Sequence, residues 1–448
     1  MTKEIQQETI RGIALRAKAL GGRAMLVGGC VRDALTGRES ADIDCEVYGL
    51  APQALRSLAA EFGEVDESGA RYGIFSLKGA GIDLAVPRLE RRTGPKHGDF
   101  DVRLDPALPF ARAAARRDFT VNAILRDALT GEIVDPFGGQ ADLRRGVLRA
   151  VPGDGFAEDP LRVLRGAQFA ARFRLSPDAK TLEKMRTMKT DALSPARVLG
   201  EMKKAMASDA PDVFFDVLRR ADALRPWFGE LAALIGVPQP PRYHPEGDAY
   251  THSMLVLHAA AQKKARALRP EAFVFAALTH DLGKAVSTAR GEDGEWHACG
   301  HENTGVPLTR AMLGRLGVNR EIIAYCENMC RLHMRAHVCH YRQAETGETN
   351  LLFDESVCPN DLALLAVCDT MGKGSASGGA ADEAAFLTGR VRVYEETAAR
   401  GLPDGGMLLA AGMEQGPQLA EALAAARRRA LTGETAEEAV QNILRKRQ

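Results

Sequence analysis

No stretch of the 448 residues approaches ~18 uninterrupted apolar positions, and the start, Met1 to Glu8, has no basic segment running into an apolar core. Neither a membrane-spanning helix nor a secretory signal of that kind is expected. Net charge is missing too: Lys plus Arg and Asp plus Glu stand at 59 each, so any surface for a polyanion has to be local. There is no repeat of fixed period and no long low-complexity tract, and 45% hydrophobic with 26% charged residues excludes a disordered or collagen-like chain. The eight cysteines form no compact framework, since Cys30 and Cys45 lie early and the others begin only at Cys299. Reduced thiols in a cytoplasmic protein are the simplest expectation.

What is present fills more than one core, about three domains by length. Residues 1–150 alternate short strands (Ala24–Val27, Asp42–Val47, Gly73–Leu77, Gly81–Val86) with helices such as Ala51–Phe62, which predicts a mixed α/β head with one small sheet. After Pro152-Gly153-Asp154-Gly155 apolar residues recur at helical spacing, giving a helical neck over 151–237. Pro238-Gln239-Pro240-Pro241 opens a His-rich module over 238–371, and the Gly/Ser-rich run Gly372–Gly379 leads into a helical tail over 372–448.

The head carries the first chemistry. Gly28-Gly29 follows a strand and opens a helix, where backbone N–H groups and the helix dipole can meet phosphate; an ordinary tight turn has the same signature. Asp42 and Asp44, spaced i and i+2, are expected to share one strand face. Two such carboxylates repel unless Mg²⁺ lies between them, and Mg²⁺ suits carboxylates plus substrate phosphates in an in-line nucleotidyl transfer. Asp83, alternating with apolar neighbours, is the candidate to deprotonate or position an RNA 3′-hydroxyl, its alternative being a solvated strand face.

Four runs in order make a resemblance specific: Leu26–Leu35 with Asp42-Ile43-Asp44; Arg116–Ile124; Asp135-Pro136-Phe137-Gly138-Gly139 with Asp142-Leu143 and Leu148-Arg149; and Glu158–Arg165. Over head and neck, about half the chain, the sequence resembles the bacterial class II tRNA nucleotidyltransferase (CCA-adding enzyme) and poly(A) polymerase family. The resemblance implies a polymerase-β-like head fold, tRNA, CTP and ATP as partners, and Mg²⁺ held by Asp42 and Asp44. It implies that Gly29 and Arg32 contact the triphosphate and that Arg117 and Asp118 grip ribose and phosphates. Asp159 and Arg162 would read the incoming base in place of a template, with Arg165 reaching phosphate. Asp159, Arg162 and Arg165 at i, i+3 and i+6 are expected on one helix face, where the bland alternative is an ion-pair ladder. The basic stretch Arg88–Phe100 resembles the mobile loop of the family that takes part in the switch from C to A addition. Between Asp142 and Arg174 seven Arg outnumber four acids, a local net +3 suited to RNA phosphate or to a solvated face.

Nine of the ten His fall between His244 and His340. The order His252, His280-Asp281, Asp369 resembles the HD phosphohydrolase superfamily, which implies these four as ligands of a divalent transition metal (Ni, Mn, Co or Fe) and hydrolysis of 2′,3′-cyclic phosphates or phosphate monoesters. His301 and His333 resemble positions some members use for a second metal. Cys326, Cys330 and His333 share a helix face, yet buried thiols are a better account of them than zinc. His97, His244, His258, His297 and His340 are expected to be ordinary core or surface residues. The terminal helices, with Arg427-Arg428-Arg429, resemble those of the family that meet tRNA. The rival readings are poly(A), A-only or CC-only addition, an HD nucleotide phosphohydrolase with an inactive head, and a non-catalytic RNA-binding protein; the oligomeric state stays open.

Overall fold

A computed structural model of the chain describes residues 2–92, 100–374 and 379–446. Residues 93–99 of the expected mobile loop, with His97, and part of the Gly/Ser-rich run, 375–378, lie outside the described residues. The chain divides into two compact units, Met1–Ser194 with Asp216–Ala223, and Pro195–Phe215 with Leu224–Gln448.

The first unit is built on a mixed sheet. Its strands are β1 (Arg23–Val27), β2 (Ile43–Tyr48), β3 (Val65–Asp66), β4 (Ile74–Leu77) and β5 (Ile82–Ala85), with β6 (Arg88–Arg92) and β7 (Phe100–Leu104) forming a separate hairpin; β8 (Leu125–Asp127) and β9 (Ile133–Val134) complete it. The sheet order is β3-β4-β5-β2-β1-β8-β9, antiparallel except where β2 runs parallel to β5. Two-residue alternation sorts β2 by face. Cys45 and Val47 enter a core with Ile13 and Ala17 of helix Lys3–Ala19 and Leu55 and Leu58 of helix Pro52–Ala60. Asp44, Glu46 and Tyr48 therefore take the other face, where Tyr48 packs with Met25, Val27 and Leu125.

The Asp-Pro-Phe-Gly-Gly motif is a helix cap. The Asp135 carboxylate accepts from the backbone N–H of Gly139 (2.8 Å) and of Gln140 (2.9 Å), satisfying first-turn donors of helix Gly139–Arg145. Beyond it, Val147–Leu148 pairs in parallel with Ser176–Pro177, a short strand contact inside a region expected to be helical. The neck's periodic stretches become helices Leu161–Phe173, Ala179–Arg186 and Pro195–Met206.

In the second unit, helices Ala249–Lys263, Pro270–Thr279, His301–Arg315, Arg320–Tyr341, Thr346–Asp354, Pro359–Gly372 and Ala380–Ala399 make a bundle. Helix Pro270–Thr279 is buried nearly all round, as its run of Ala, Phe, Val and Leu demands. A smaller apolar cluster of Leu408, Ala422, Ala426, Ala430, Ala439 and Val440 holds the tail helices, and Arg427 fastens them to the bundle through a two-pronged pair with Asp354 (2.7 and 2.6 Å). Arg429 pairs with Glu434, so of the Arg427–Arg429 run only Arg428 is exposed.

One buried acid organises the bundle's end. Asp361, fully buried, accepts from the N–H of Leu268 (2.8 Å) and Arg269 (3.1 Å) and from the Tyr325 hydroxyl (2.7 Å). Asp361→Ala should orphan all three donors and destabilise the second unit by about 3 kcal/mol, whereas Tyr325→Phe should cost about 1 kcal/mol. Urea unfolding followed by helical circular dichroism checks the difference.

Candidate active sites

At the head site the backbone comes first. Gly28 caps helix Gly29–Leu35 with φ 73°, and a Cβ there would stand 3.0 Å from Arg117 Nη1 and 3.4 Å from Asp44 Oδ2. Only glycine lets a helix start, a carboxylate and a guanidinium share this spot. Register sets Asp44 opposite Val27 on β1 and opposite Asp83 on β5. Asp42 falls in the bend just before β2 instead of on the strand, where Ser40 Oγ donates to its carbonyl (2.8 Å) and Gln6 Nε2 holds the flanking Ala41, Ala80 and Gly81 carbonyls. Strand alternation therefore does not by itself align Asp42 with Asp44. The carboxylates still feel one another: Asp44 is exposed, yet the surrounding protein strips enough water from its carboxyl to push it up, Arg117 opposes that, and Asp83 and Asp42 push it further. Among the described residues the three do not form a set with oxygens all within 4.8 Å, while two carboxylates plus substrate oxygens meet the needs of a hard divalent cation.

Beneath this site sits Glu46, 2% exposed, which accepts from Arg116 (2.7 Å), Arg117 (3.0 Å) and the Tyr48 hydroxyl (2.9 Å). Burial alone would raise its carboxyl, but Arg117, Arg116 and Tyr48 outweigh burial and bring it down to about 2. Glu46 thus stays charged and aims Arg117. Arg32 is also buried, donating to Asn122 (2.7 Å) and Asp33 (2.9 and 2.7 Å) with its guanidinium carbon 4.0 Å from the Phe173 ring centroid.

The second motif, Arg116–Ile124, closes around Asp118, whose oxygens take Asn122 Nδ2 (2.9 Å), the Phe119 N–H (2.8 Å) and Arg165 Nε (2.7 Å). Burial opposes its charge, yet Arg165 and Asn122 hold the carboxyl below its usual range. Arg162 donates to the carbonyls of Gly155 and Arg116, the latter at 2.7 Å. Asp159 does not share its helix. Pro160 keeps the preceding residue extended (φ −124°, ψ 106°), so the helix begins at Leu161 and Asp159 accepts from the Leu161 N–H (3.0 Å). Much of the expected positive stretch is likewise structural: Arg149 pairs with Asp142 and Asp178, and Arg165 with Asp118, leaving Arg144, Arg145, Arg172 and Arg174 exposed.

The His-rich module brings its predicted ligands together. His252 Nε2 lies 2.9 Å from Asp369 Oδ1 and 3.5 Å from Asp281 Oδ2, which is also 3.2 Å from His280 Nε2. The other Asp281 oxygen faces His301 Nε2 (3.1 Å) and His333 Nε2 (3.5 Å). Nδ1 of His280, His301 and His333 each meets a backbone carbonyl, at 2.9, 2.7 and 2.7 Å, which puts the proton on Nδ1 and turns the Nε2 lone pair inward. Three groups that could hold a metal ion result among the described residues, His244–Glu246–His252, His252–His280–Asp369 and Asp281–His301–His333, with Asp281 touching the second as well as belonging to the third. His252 Nε2, His280 Nε2, both Asp281 oxygens and Asp369 Oδ1 are buried without a hydrogen bond, the orphaned donor set that a divalent cation satisfies. Gly283 permits it, because a Cβ there would stand 2.0 Å from the His301 carbonyl.

Several groups around this centre escaped sequence reasoning. His337 Nε2 meets Asp369 Oδ2 (2.6 Å) and its Nδ1 meets Glu383 (2.7 Å), whose other oxygen takes the Thr370 hydroxyl (2.6 Å). Burial opposes charge on His337, but Asp369 and Glu383 raise it to about 9. Lys284 Nζ lies 2.6 Å from Asp281, and Glu246 bridges His244 and His252 at 2.8 and 2.7 Å. His244, expected to be an ordinary core or surface residue, shares the Glu246 carboxylate with the candidate ligand His252. Only the Asp-x-Asp-x-Glu alternation at Glu46 offered a readable signal; His337 and Glu383 pair across 46 residues. Cys326 and Cys330 are buried thiols that face the Ala272 and His280 carbonyls.

The chain matches the poly A polymerase head domain over residues 24–149, a "probable RNA and SrmB-binding site of polymerase A" over 174–235, and the HD domain over 249–369. It is 38% identical over 419 residues to a multifunctional CCA protein of Xanthomonas campestris pv. campestris, covering 90% of this chain and 96% of that one. It is 41% identical over 318 residues to one of Nitrosococcus oceani, covering 70% and 74%. Among solved structures, its fold is similar to a Thermotoga maritima CCA-adding enzyme complexed with tRNA (TM-score 0.62, 18% identity, 98% of this chain and 95% of that one). It is similar also to a Bacillus stearothermophilus CCA-adding enzyme in complex with CTP (TM-score 0.62, 20% identity, 100% and 98%). With a near-full-length match at that identity, the chain belongs to the multifunctional CCA protein family.

Proposed function

We propose that this protein adds CCA to the 3′ end of tRNA without a template, using CTP and ATP, and that its HD module hydrolyses phosphate esters, 2′,3′-cyclic phosphates among them. The observation that carries the first half is the meeting of Asp44, Arg117 and the start of helix Gly29–Leu35 at Gly28, which sets anion-binding and cation-binding groups side by side. The relatives named multifunctional CCA proteins favour this over poly(A), A-only or CC-only addition, and the intact carboxylates favour it over an inactive head. No helix among the described residues is long and apolar enough to cross a membrane, and free thiols fit a cytoplasmic setting.

In this reading the Gly28-Gly29 backbone and Arg117 receive the triphosphate, and Glu46 keeps Arg117 pointed at it. Asp42 and Asp44 hold Mg²⁺, which when bound offsets charge on the phosphates during transfer. Asp83, across from Asp44, positions the tRNA 3′-hydroxyl and takes its proton. Arg32, anchored on Asn122, and the Asp118–Arg165 pair shape the sugar and phosphate side, while Asp159 and Arg162 read the base edge, Arg162 being pre-oriented by its two carbonyls. Residues 1–150 serve as head, 151–237 as the selecting and RNA-binding neck, 238–371 as the hydrolase and 372–448 as the tRNA-facing tail.

In the HD module His252, His280, Asp281 and Asp369 bind one divalent transition metal (Ni, Mn, Co or Fe), and Asp281, His301 and His333 a second. Such ions activate water toward a phosphoester. Lys284 draws the ester phosphate inward, and Glu246 and His337 hold His252 and Asp369 in place.

Extension of tRNAs ending before the CCA, after C and after CC should add C, C, A and then stop; a long A tract, or addition restricted to one nucleotide, would replace this reading. Asp44→Asn should cut addition by at least about a hundredfold while leaving ester hydrolysis unchanged, and Asp281→Asn should do the reverse and lower the bound metal measured by elemental analysis. Glu383→Gln should weaken metal binding about tenfold, read by chelator competition.

A further inference from the structure

The catalytic carboxylates and imidazoles of the HD module open into a cleft of about 1000 Å³, far more room than a phosphate group needs and at the upper end of small-molecule sites. The cleft is graded. Its deep end holds His301, Asp369 and Lys284, 5%, 4% and 8% exposed, and its mouth carries the half-buried Trp296 and the exposed Tyr243. Cations and ligands thus sit where a phosphate would go, and aromatic faces sit where the rest of the ester would lie.

Trp296 is carried on a stiff support. It pairs with Arg290 in the short hairpin of Ala289–Arg290 with Trp296–His297. The turn is closed by Gly291 N–H to the Glu295 carbonyl (2.8 Å), Arg290 Nε to the Gly294 carbonyl (2.8 Å) and His297 against Asp293 (2.8 Å). A flat indole held this way costs little ordering entropy when a ring stacks on it, and stacking makes few demands on base identity.

From this grading we propose that Trp296, with Tyr243 in the same cleft, is a nucleobase-stacking subsite, so that the HD module prefers phosphate esters that carry a base. The inference rests on the phosphohydrolase reading for turnover and on the cleft alone for binding, and its tests separate the two.

The chain has two tryptophans, and Trp227 is buried outside the cleft, so emission changes on ligand binding report Trp296. Titrating the metal-loaded protein with adenosine 2′-monophosphate should quench emission, while ribose 5-phosphate and inorganic phosphate should not, and Tyr243→Leu, which keeps the Trp296 reporter, should weaken the quench. In turnover, Trp296→Leu should raise KM for 2′,3′-cyclic AMP at least about fivefold at similar kcat, leave glycerol 2-phosphate unchanged, and be rescued by Trp296→Tyr. Equal quenching by ribose 5-phosphate, an unchanged KM, or equal loss on both esters would overturn the subsite. If the wild-type protein hydrolyses neither ester yet nucleotide-specific quenching persists, the hydrolase reading fails and the stacking subsite stands.

Discussion

A carboxylate removed from water costs several kcal/mol unless cations or donors surround it, and both working regions of this chain are organised by that requirement. In the first unit Glu46 and Asp118 are buried and answered by arginines, which are thereby locked into direction. In the second, Asp281 and Asp369 are answered by imidazoles and lysines, and burial opposes charge on each while His280, Lys284, Lys373 and His337 keep both carboxyls well below their usual range. The same electrostatics yields two different products. Around Glu46 every oxygen is satisfied and the result is a strut; around Asp281 polar atoms stay unsatisfied and the result is a receptacle.

The two regions also differ in readiness. Around Gly28 the surface is open, with Asp42, Asp44 and Asp83 exposed and the carboxylates spread. In the bundle the imidazoles are already turned by backbone carbonyls and need little rearrangement. Transfer to many tRNAs suits the first arrangement, and a fixed hydrolytic centre suits the second.

Much of this was legible in order and spacing. Alternation in Asp42–Val47 and Gly81–Val86 located β2 and β5, helical spacing located Leu161–Phe173, and the sequential motifs located both functional regions. What misled was local. The bend before Ile43 displaced Asp42 from the strand, and Pro160 held Asp159 out of the helix, each a backbone effect that periodicity does not register. What was invisible was tertiary: a run of arginines reads the same whether it meets RNA or its own acids, and the partners of Arg149, Arg165 and Arg427 lie 7 to 73 residues away. The acids that brace the candidate metal site, Glu246 and Glu383, belong to no motif for the same reason.

Glu383 stands in helix Ala380–Ala399, past the last residue, 369, matched by the HD domain, and it holds His337 against a ligand. The hydrolytic region is therefore not a detachable cassette. Its candidate ligands end at Asp369, but the brace that sets His337 against Asp369 comes from the next segment, so exchange of this region between related chains carries the tail's first helix with it or leaves the site slack. Selection on hydrolysis then reaches into a segment that the sequence offered only as the start of a helical tail.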